Sequence, residues 1–337
     1  MNRKVSTGTL LAAGCVLLGC VFNRAASADS PRSTKSDSQS TFKFIDADQS
    51  TVRLQDGDSP VLAYNYGTII GSNVPTDDPR HQRACYIHPL WGLHGEILTD
   101  DFPRDHYHHH GVFWTWPHVK VDGKEYDIWA DRGGMHQRFL RWLSRDAGSD
   151  IAELGVENGW FVGERQVMTE RIWIRAHHAG GGSRSIDLEL HWIPTDRPVT
   201  LWGAGGKSYG GLTVRFAPQD RNSTVITVPT GRTQADLPDT PLAWADFTSR
   251  FGQQTKVSGA AIFVSPNHPD FPPTWLTRHY GPLCVGWPGV RPQTFEPGHV
   301  IQLQYRLWIH AGAVDVQDIQ QAYDEYVASC EAQHAKE

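Results

Sequence analysis

The sequence predicts an all-β protein, a large antiparallel β-sandwich with one C-terminal helix. Three observations carry that reading. Apolar and polar residues alternate with period two over many segments, the mark of strands with one face buried. The connections between them are rich in glycine and proline, of which the chain has 32 and 21. Helical spacing of apolar residues is persuasive in one place only, near the C-terminus. Many strands, few helices and short turn-rich connections define a sandwich rather than an α/β layering.

The elements follow in order. FKFID and TVRLQD, from Phe42 and Thr51, alternate apolar and polar residues, and VLAYNYG is aromatic and bounded by turn residues. VFWTW, from Val112, reads as a strand. VKVDGKEYDIW (Val119 to Trp129) places Asp122-Gly123 between two alternating runs, the strongest hairpin signal in the chain. Strands are expected over Asp150 to Val162 and Glu164 to Ala176. HHAGGGSRS turns the chain into IDLELHWI, where Ile186, Leu188, Leu190 and Trp192 share one face opposite Asp187, Glu189 and His191. GLTVRF, GAAIFV and VIQLQYRLWIHAG continue the pattern. In DVQDIQQAYDEYVASCEAQ, Ile319, Ala322, Tyr323, Tyr326, Val327 and Cys330 recur at helical spacing.

The N-terminus reads as a targeting segment. Arg3 and Lys4 precede an apolar run from Leu10 to Phe22, too short to span a membrane. ASA at Ala26 to Ala28 is a cleavage signal, so residues 1–28 read as a signal peptide. LLGC at Leu17 to Cys20 resembles a lipobox, which would place a lipid anchor on Cys20. Either route exports the mature chain to the periplasm, the medium or the cell envelope. Residues 29–41 are polar and Ser-rich, a flexible tether. From 42 to 337 no linker or repeat interrupts the pattern, and a single domain is expected. No later stretch is long and apolar enough to be a transmembrane helix.

Composition narrows the function. The formal net charge of −6 leaves no basic footprint for nucleic acid. Of five cysteines, Cys15 and Cys20 fall in the leader, leaving Cys85, Cys284 and Cys330. These form no disulfide scaffold or Cys-rich zinc site and are expected to be buried apolar groups. The 13 tryptophans suit β-cores and sugar-binding clefts alike.

The segment DHYHHHG, residues 105–111, holds His106, His108, His109 and His110. Imidazole titrates near neutrality and is the commonest metal ligand, so the cluster suits acid/base or metal chemistry. If the segment is already extended, His106, His108 and His110 share one face, and Tyr107 and His109 the other. His106 and His108 then form an H-x-H pair able to share a divalent metal, with a third ligand from elsewhere, such as Glu96 or His88. Without a metal, Asp105 would orient a neighbouring imidazole for general acid/base catalysis. No cofactor is required on that reading. GGKSYGGL (Gly205 to Leu212) surrounds Lys207 and Tyr209 with glycine but lacks the spacing of a phosphate-binding loop. WADF (Trp244 to Phe247) and TRHYG (Thr277 to Gly281) set Asp246 beside Trp244, and Arg278 and His279 beside Tyr280. Such pairs of ring and charge suit sugar recognition.

Several stretches then occur in one order: RACYIHPLWGLHGEILTDDFPRDHYHHHGVFWTW, KSYGGLTVRF, WADFTSRFG, TRHYGPL and YRLWIHAG. Together they resemble a bacterial family labelled methane oxygenase PmoA-like, over most of the chain after about Tyr64. The most specific element is D-H-x-H-H-x-G, matched by Asp105, His106, His108, His109 and Gly111, with His110 at the variable position. WGLHGE departs from the pattern, so Glu96 gains nothing from the resemblance. The name is not read as methane chemistry, because the methane monooxygenase subunit of that name is a membrane protein and this chain has no spanning segment beyond its leader. The resemblance implies an exported protein with a mutarotase-like supersandwich.

Three functions remain in view. The first is an exported carbohydrate-active enzyme of lyase or hydrolase type, acting on a poly- or oligosaccharide. His106, His108, His109 and Asp105 would be catalytic. Arg83, Lys207, Tyr209, Trp244, Asp246, Arg278 and His279 would bind substrate. The second is a metal-dependent oxidoreductase or hydrolase using the H-x-H pair. The third is a non-catalytic sugar-binding envelope protein.

Overall fold

The computed structural model describes residues 42–334. The signal peptide expected over 1–28, its lipobox at 17–20 and the tether over 29–41 lie outside the described residues. Two nine-stranded antiparallel sheets build the sandwich. The first runs Phe42–Asp46, Thr51–Asp56, Ser59–Asn65, Tyr86–Leu90, Val112–Thr115, Gly211–Arg215, Pro282–Gly286, Thr274–Thr277, Thr240–Pro241. The second runs Met135–Ala147, Ile151–Val162, Arg165–His177, Ser183–Pro194, Ile301–Ala311, Val257–Val264, Trp244–Arg250, Val225–Val228, Gly231–Arg232. A four-stranded sheet carries Gln293–Phe295, Val199–Trp202, His118–Val121 and Lys124–Tyr126.

Alternation explains the faces. Ile172, Ile174 and Ala176 pair with Leu190, Leu188 and Ile186, and all six are buried. Their sequence neighbours point outward and join ion pairs across strands, such as Arg175 with Glu153 and Glu189. The expected hairpin closes as Val121 paired with Lys124, with Asp122 at φ 51° and Gly123 at φ 79°. Both central residues are left-handed, as a two-residue type I′ turn demands.

The core lies between the two large sheets. Trp116, just past Val112–Thr115 of the first, meets Trp192 of the second edge-on at 5.0 Å, and Phe216 stacks on Phe247 at 4.5 Å. Most of the fully buried tryptophans, including Trp114, Trp160 and Trp275, fill this core rather than a cleft. Trp160 and Trp192 both donate their indole N–H, at 2.9 Å, to the buried Glu170 carboxylate. Asn158 and Gln137 donate to the same group, so no indole N–H or carboxylate oxygen there is orphaned.

The helix forms where expected, over Val316–His334. Asp315 caps it, accepting from the N–H groups of Gln317 and Asp318, while Asp318 reaches back to the N–H of Asp315. Ile319, Tyr323, Tyr326 and Cys330 bury against Trp244, Ala261 and Phe263. Cys85, Cys284 and Cys330 are all buried free thiols. Among the described residues no helix is long and apolar enough to cross a membrane.

Candidate active site

The histidine segment is not extended. The residues between Pro103 and His109 form two successive turns, with the His106 N–H donating to Pro103 O and the His109 N–H to His106 O, both at 2.9 Å. Local turn bonds take the donors that a ladder would need, so the period-two alternation expected for these side chains never applies. His106, His108 and His109 converge instead. Their ring centroids lie 5.6 Å (106–108), 4.7 Å (106–109) and 4.8 Å (108–109) apart. His110 turns the other way, fully buried, with Nδ1 at 2.8 Å from Asp101, whose second oxygen accepts from the Tyr86 hydroxyl at 2.7 Å. Gly111 then enters Val112–Thr115 at φ 41°; a Cβ there would lie 2.0 Å from Ile87 O.

A cavity of about 220 Å³ opens beside the three rings. His106, His108 and His109 line it together with Lys207, Tyr209 and Arg278. Trp129 and Tyr280 add aromatic walls, and Leu276, Pro282 and Cys284 complete it. Distant parts of the sequence meet here because the central strands Val112–Thr115, Gly211–Arg215 and Pro282–Gly286 are neighbours in the first sheet. The first and third run parallel and flank the second antiparallel, so their preceding connections share one end of the sheet, while the loop carrying Lys207 and Tyr209 enters from the other. All meet over the outer face, where Leu276 and Cys284 point away from the core between the sheets. The glycine-rich loop is a turn, closed by Ser208 N–H on Ala204 O at 2.9 Å.

Arg215 organises the histidines from behind. This buried guanidinium places both Asp105 oxygens within 3.0 and 3.2 Å of Nη2, and Nη1 at 3.4 Å from His109 Nδ1. Arginine can only donate, so His109 Nδ1 accepts and the neutral ring carries its proton on Nε2. Burial first, then the neighbouring His108 and Arg215, holds the His109 pKa well below the ordinary histidine value. His106 has the opposite polarity. Its Nδ1 makes no hydrogen bond but lies 3.3 Å from Asp105 Oδ2, and the nearby negative charge favours a proton on that nitrogen, with the lone pair on Nε2. Partial burial raises the Asp105 pKa, but Arg215 and His106 outweigh it and the net shift is downward, so the carboxylate is ionised. His108 is pushed down to about 3, by burial and then by His106 and Arg80. Tyr280 runs parallel to His106 at 5.2 Å and burial raises its pKa to about 12. Burial raises that of Tyr209 as well, so both phenols keep their protons.

The other residues singled out from the sequence lie elsewhere. Arg83 borders a separate cavity of about 530 Å³, where it holds Ile128 O, Asp131 and Gln137. Trp244 is core, its indole N–H bound to Gln320 of the helix. Asp246 is enclosed with Thr248 and His310 inside the second sheet. Both lie on the face of their strand that carries the helix, opposite Ala245 and Phe247 of the inter-sheet core, so the proximity of ring and charge in WADF is a property of buried packing. His279 follows Arg278 but turns onto Asp236, with Nδ1 at 2.8 Å. Glu96 accepts from the His94 N–H and His88 Nδ1 meets Thr99, so neither completes a ligand set with His106 and His108. Among the described residues no group of three His, Cys, Asp or Glu side chains is arranged to hold a metal ion. Sequence reasoning passed over Arg215 and Trp129, and noted Tyr280 only as the ring beside Arg278 and His279. An arginine ending the apolar run LTVR was the one signal available for Arg215.

Fold and site together define a large antiparallel β-sandwich protein with a histidine-lined cavity over the outer face of its first sheet. Residues 51–324 match the family of unknown function DUF6807, and the chain belongs to that family. No curated protein matches it. Among solved structures, it is similar to an aldose epimerase homologue from C. elegans, at 10% identity and TM-score 0.32, covering 80% of this chain and 99% of that one. It is also similar to a galactose mutarotase related enzyme from Lactobacillus acidophilus, at 8% identity and TM-score 0.31, covering 81% and 99%. These likenesses concern chain path only, and the site is read from its own residues.

Proposed function

We propose that this chain is an exported carbohydrate-active enzyme in which His106 takes a proton from the substrate. His109 presents a neutral N–H to the oxygen that gains negative charge. The observation that carries this reading is the pair of parallel rings 4.7 Å apart with opposite electrostatic bias, the Asp105 carboxylate beside Nδ1 of His106 and the Arg215 guanidinium beside Nδ1 of His109. A lone pair and an N–H facing one cavity are what proton abstraction with stabilisation of an oxyanion needs. Trp129, Tyr209 and Tyr280 offer ring faces and phenol hydroxyls to a sugar. The leader over 1–28 supports export, and the PmoA-like resemblance of D-H-x-H-H-x-G supports treating these residues as a unit.

An elimination fits the cavity better than two-carboxylate hydrolysis. No Asp or Glu lines it, whereas the usual glycosidase needs two carboxyl groups roughly 5–9.5 Å apart. The test is turnover on a panel of poly- and oligosaccharides by the wild type and by His106→Ala and His109→Ala. The wild type should cleave a member of the panel, with unsaturated products, and each variant should lose about 10²–10⁴-fold in rate. Absence of turnover across the panel, or full activity of His106→Ala, would overturn the reading.

A further inference from the structure

We infer that the cavity selects a sugar unit bearing an anionic group, a uronic carboxylate or a sulfate ester, held by Lys207 and Arg278. This rests on the carbohydrate reading above and narrows its substrate. Two cationic side chains line the cavity and no carboxylate does. Lys207 is exposed and makes no ion pair among the described residues. Arg278 spends only Nη1 on a carboxylate, that of Asp236 at 3.3 Å. The acids nearest the rings are already engaged. Asp105 is held by Arg215, and Asp236 also accepts from the backbone and ring of His279.

Beyond the lining, charges of both signs reach the cavity, with Asp127 and Arg132 both acting on Tyr209. Arg132 makes no ion pair among the described residues, yet its charge reaches both His108 and Tyr209. His108 and His109, held neutral, offset none of it. The lining itself thus carries two cations and no carboxylate, with Lys207 unpaired among the described residues. An anion on the ligand completes it through charge-assisted hydrogen bonds, the strong kind, and through steering from solution. A neutral sugar would leave Lys207 and the remaining guanidinium N–H groups of Arg278 with no charged partner. The aromatic walls limit this to an anion carried on a ring-shaped body, since Trp129 and Tyr280 have no part in binding a small free anion.

Calorimetric titration of the mature protein tests the inference with three sets of oligosaccharides: uronate-containing, their carboxyl-reduced neutral counterparts, and sulfated. Lys207→Ala is the informative variant, because the side chain is exposed and supports nothing else. An anionic set should bind at least about tenfold tighter than the neutral set. That preference should fall with added salt and shrink about tenfold in Lys207→Ala. Which anionic set binds identifies the group. Neutral sugars binding as tightly as anionic ones, or an undiminished preference in Lys207→Ala, would overturn the anionic inference and leave the carbohydrate reading standing. Failure of all three sets would overturn both.

Discussion

His109 shows how one neighbour decides what a side chain can do. Arg215 cannot accept a proton bond, so it holds the ring in one tautomer, and the shared guanidinium ties that choice to Asp105 and hence to His106. Nitrogen-15 spectra of the imidazoles should therefore show His109 neutral, protonated on Nε2, across about pH 5.5–7, where a free histidine titrates. In Arg215→Lys the fork is replaced by a point charge that cannot serve both partners. Turnover should drop tenfold or more, by about the loss of one preorganised contact, and the tautomer signature should become mixed. A variant with unaltered spectra and rate would mean that Arg215 is only part of the packing. The candidate residue types were legible in DHYHHHG, GGKSYGGL and TRHYG. Arg215 was not, because a single arginine in an apolar run looks the same whether it leaves the sheet edge for solvent or turns behind a histidine.

At the scale of elements, the strands were read from alternation because their side chains answer mainly to one buried face and one wet face. The Ile186 to Trp192 face and the helix stripe from Ile319 to Cys330 both bury as their spacing requires. The segment leading into Val112–Thr115 does not meet the condition of being extended, because turn formation there rests on bonds to Pro103 and His106 carbonyls that no hydrophobic period reports. Its exit is pinned by Gly111. Substitution Gly111→Ala puts a side chain into left-handed backbone and against Ile87 O. It should cost roughly 2–3 kcal/mol in urea unfolding. A loss under about 0.5 kcal/mol, the range of ordinary surface changes, would show that the turn can relax.

For the whole molecule, several histidines are folded in as neutral groups. Burial is the first cause for His108, at about 3, for His268, at about 4, and for His109 and His110, both lowered. An unfolded histidine titrates near 6.5, so between that value and the lower folded ones the unfolded chain binds more protons. Stability from this source is complete above about pH 6.5 and is lost as pH falls through the window toward about 3. Denaturation midpoints should decline between neutral and acidic pH, and His108→Gln should flatten the decline. A slope that the variant leaves unchanged would remove His108 from the account.

What the sequence determined by itself was the sandwich, its strand faces, the Asp122-Gly123 hairpin, the C-terminal helix and the residue types of the histidine cluster. Each depends on a local period or on turn chemistry, which neighbouring residues set alone. Only the tertiary structure decided that Lys207, Tyr209 and Arg278 join His106, His108 and His109 while Trp244, Asp246 and Arg83 do not. That choice follows from which strands lie side by side in the first sheet and which way each connection turns at its end. Pairings between residues a hundred positions apart set both, and no local period records them.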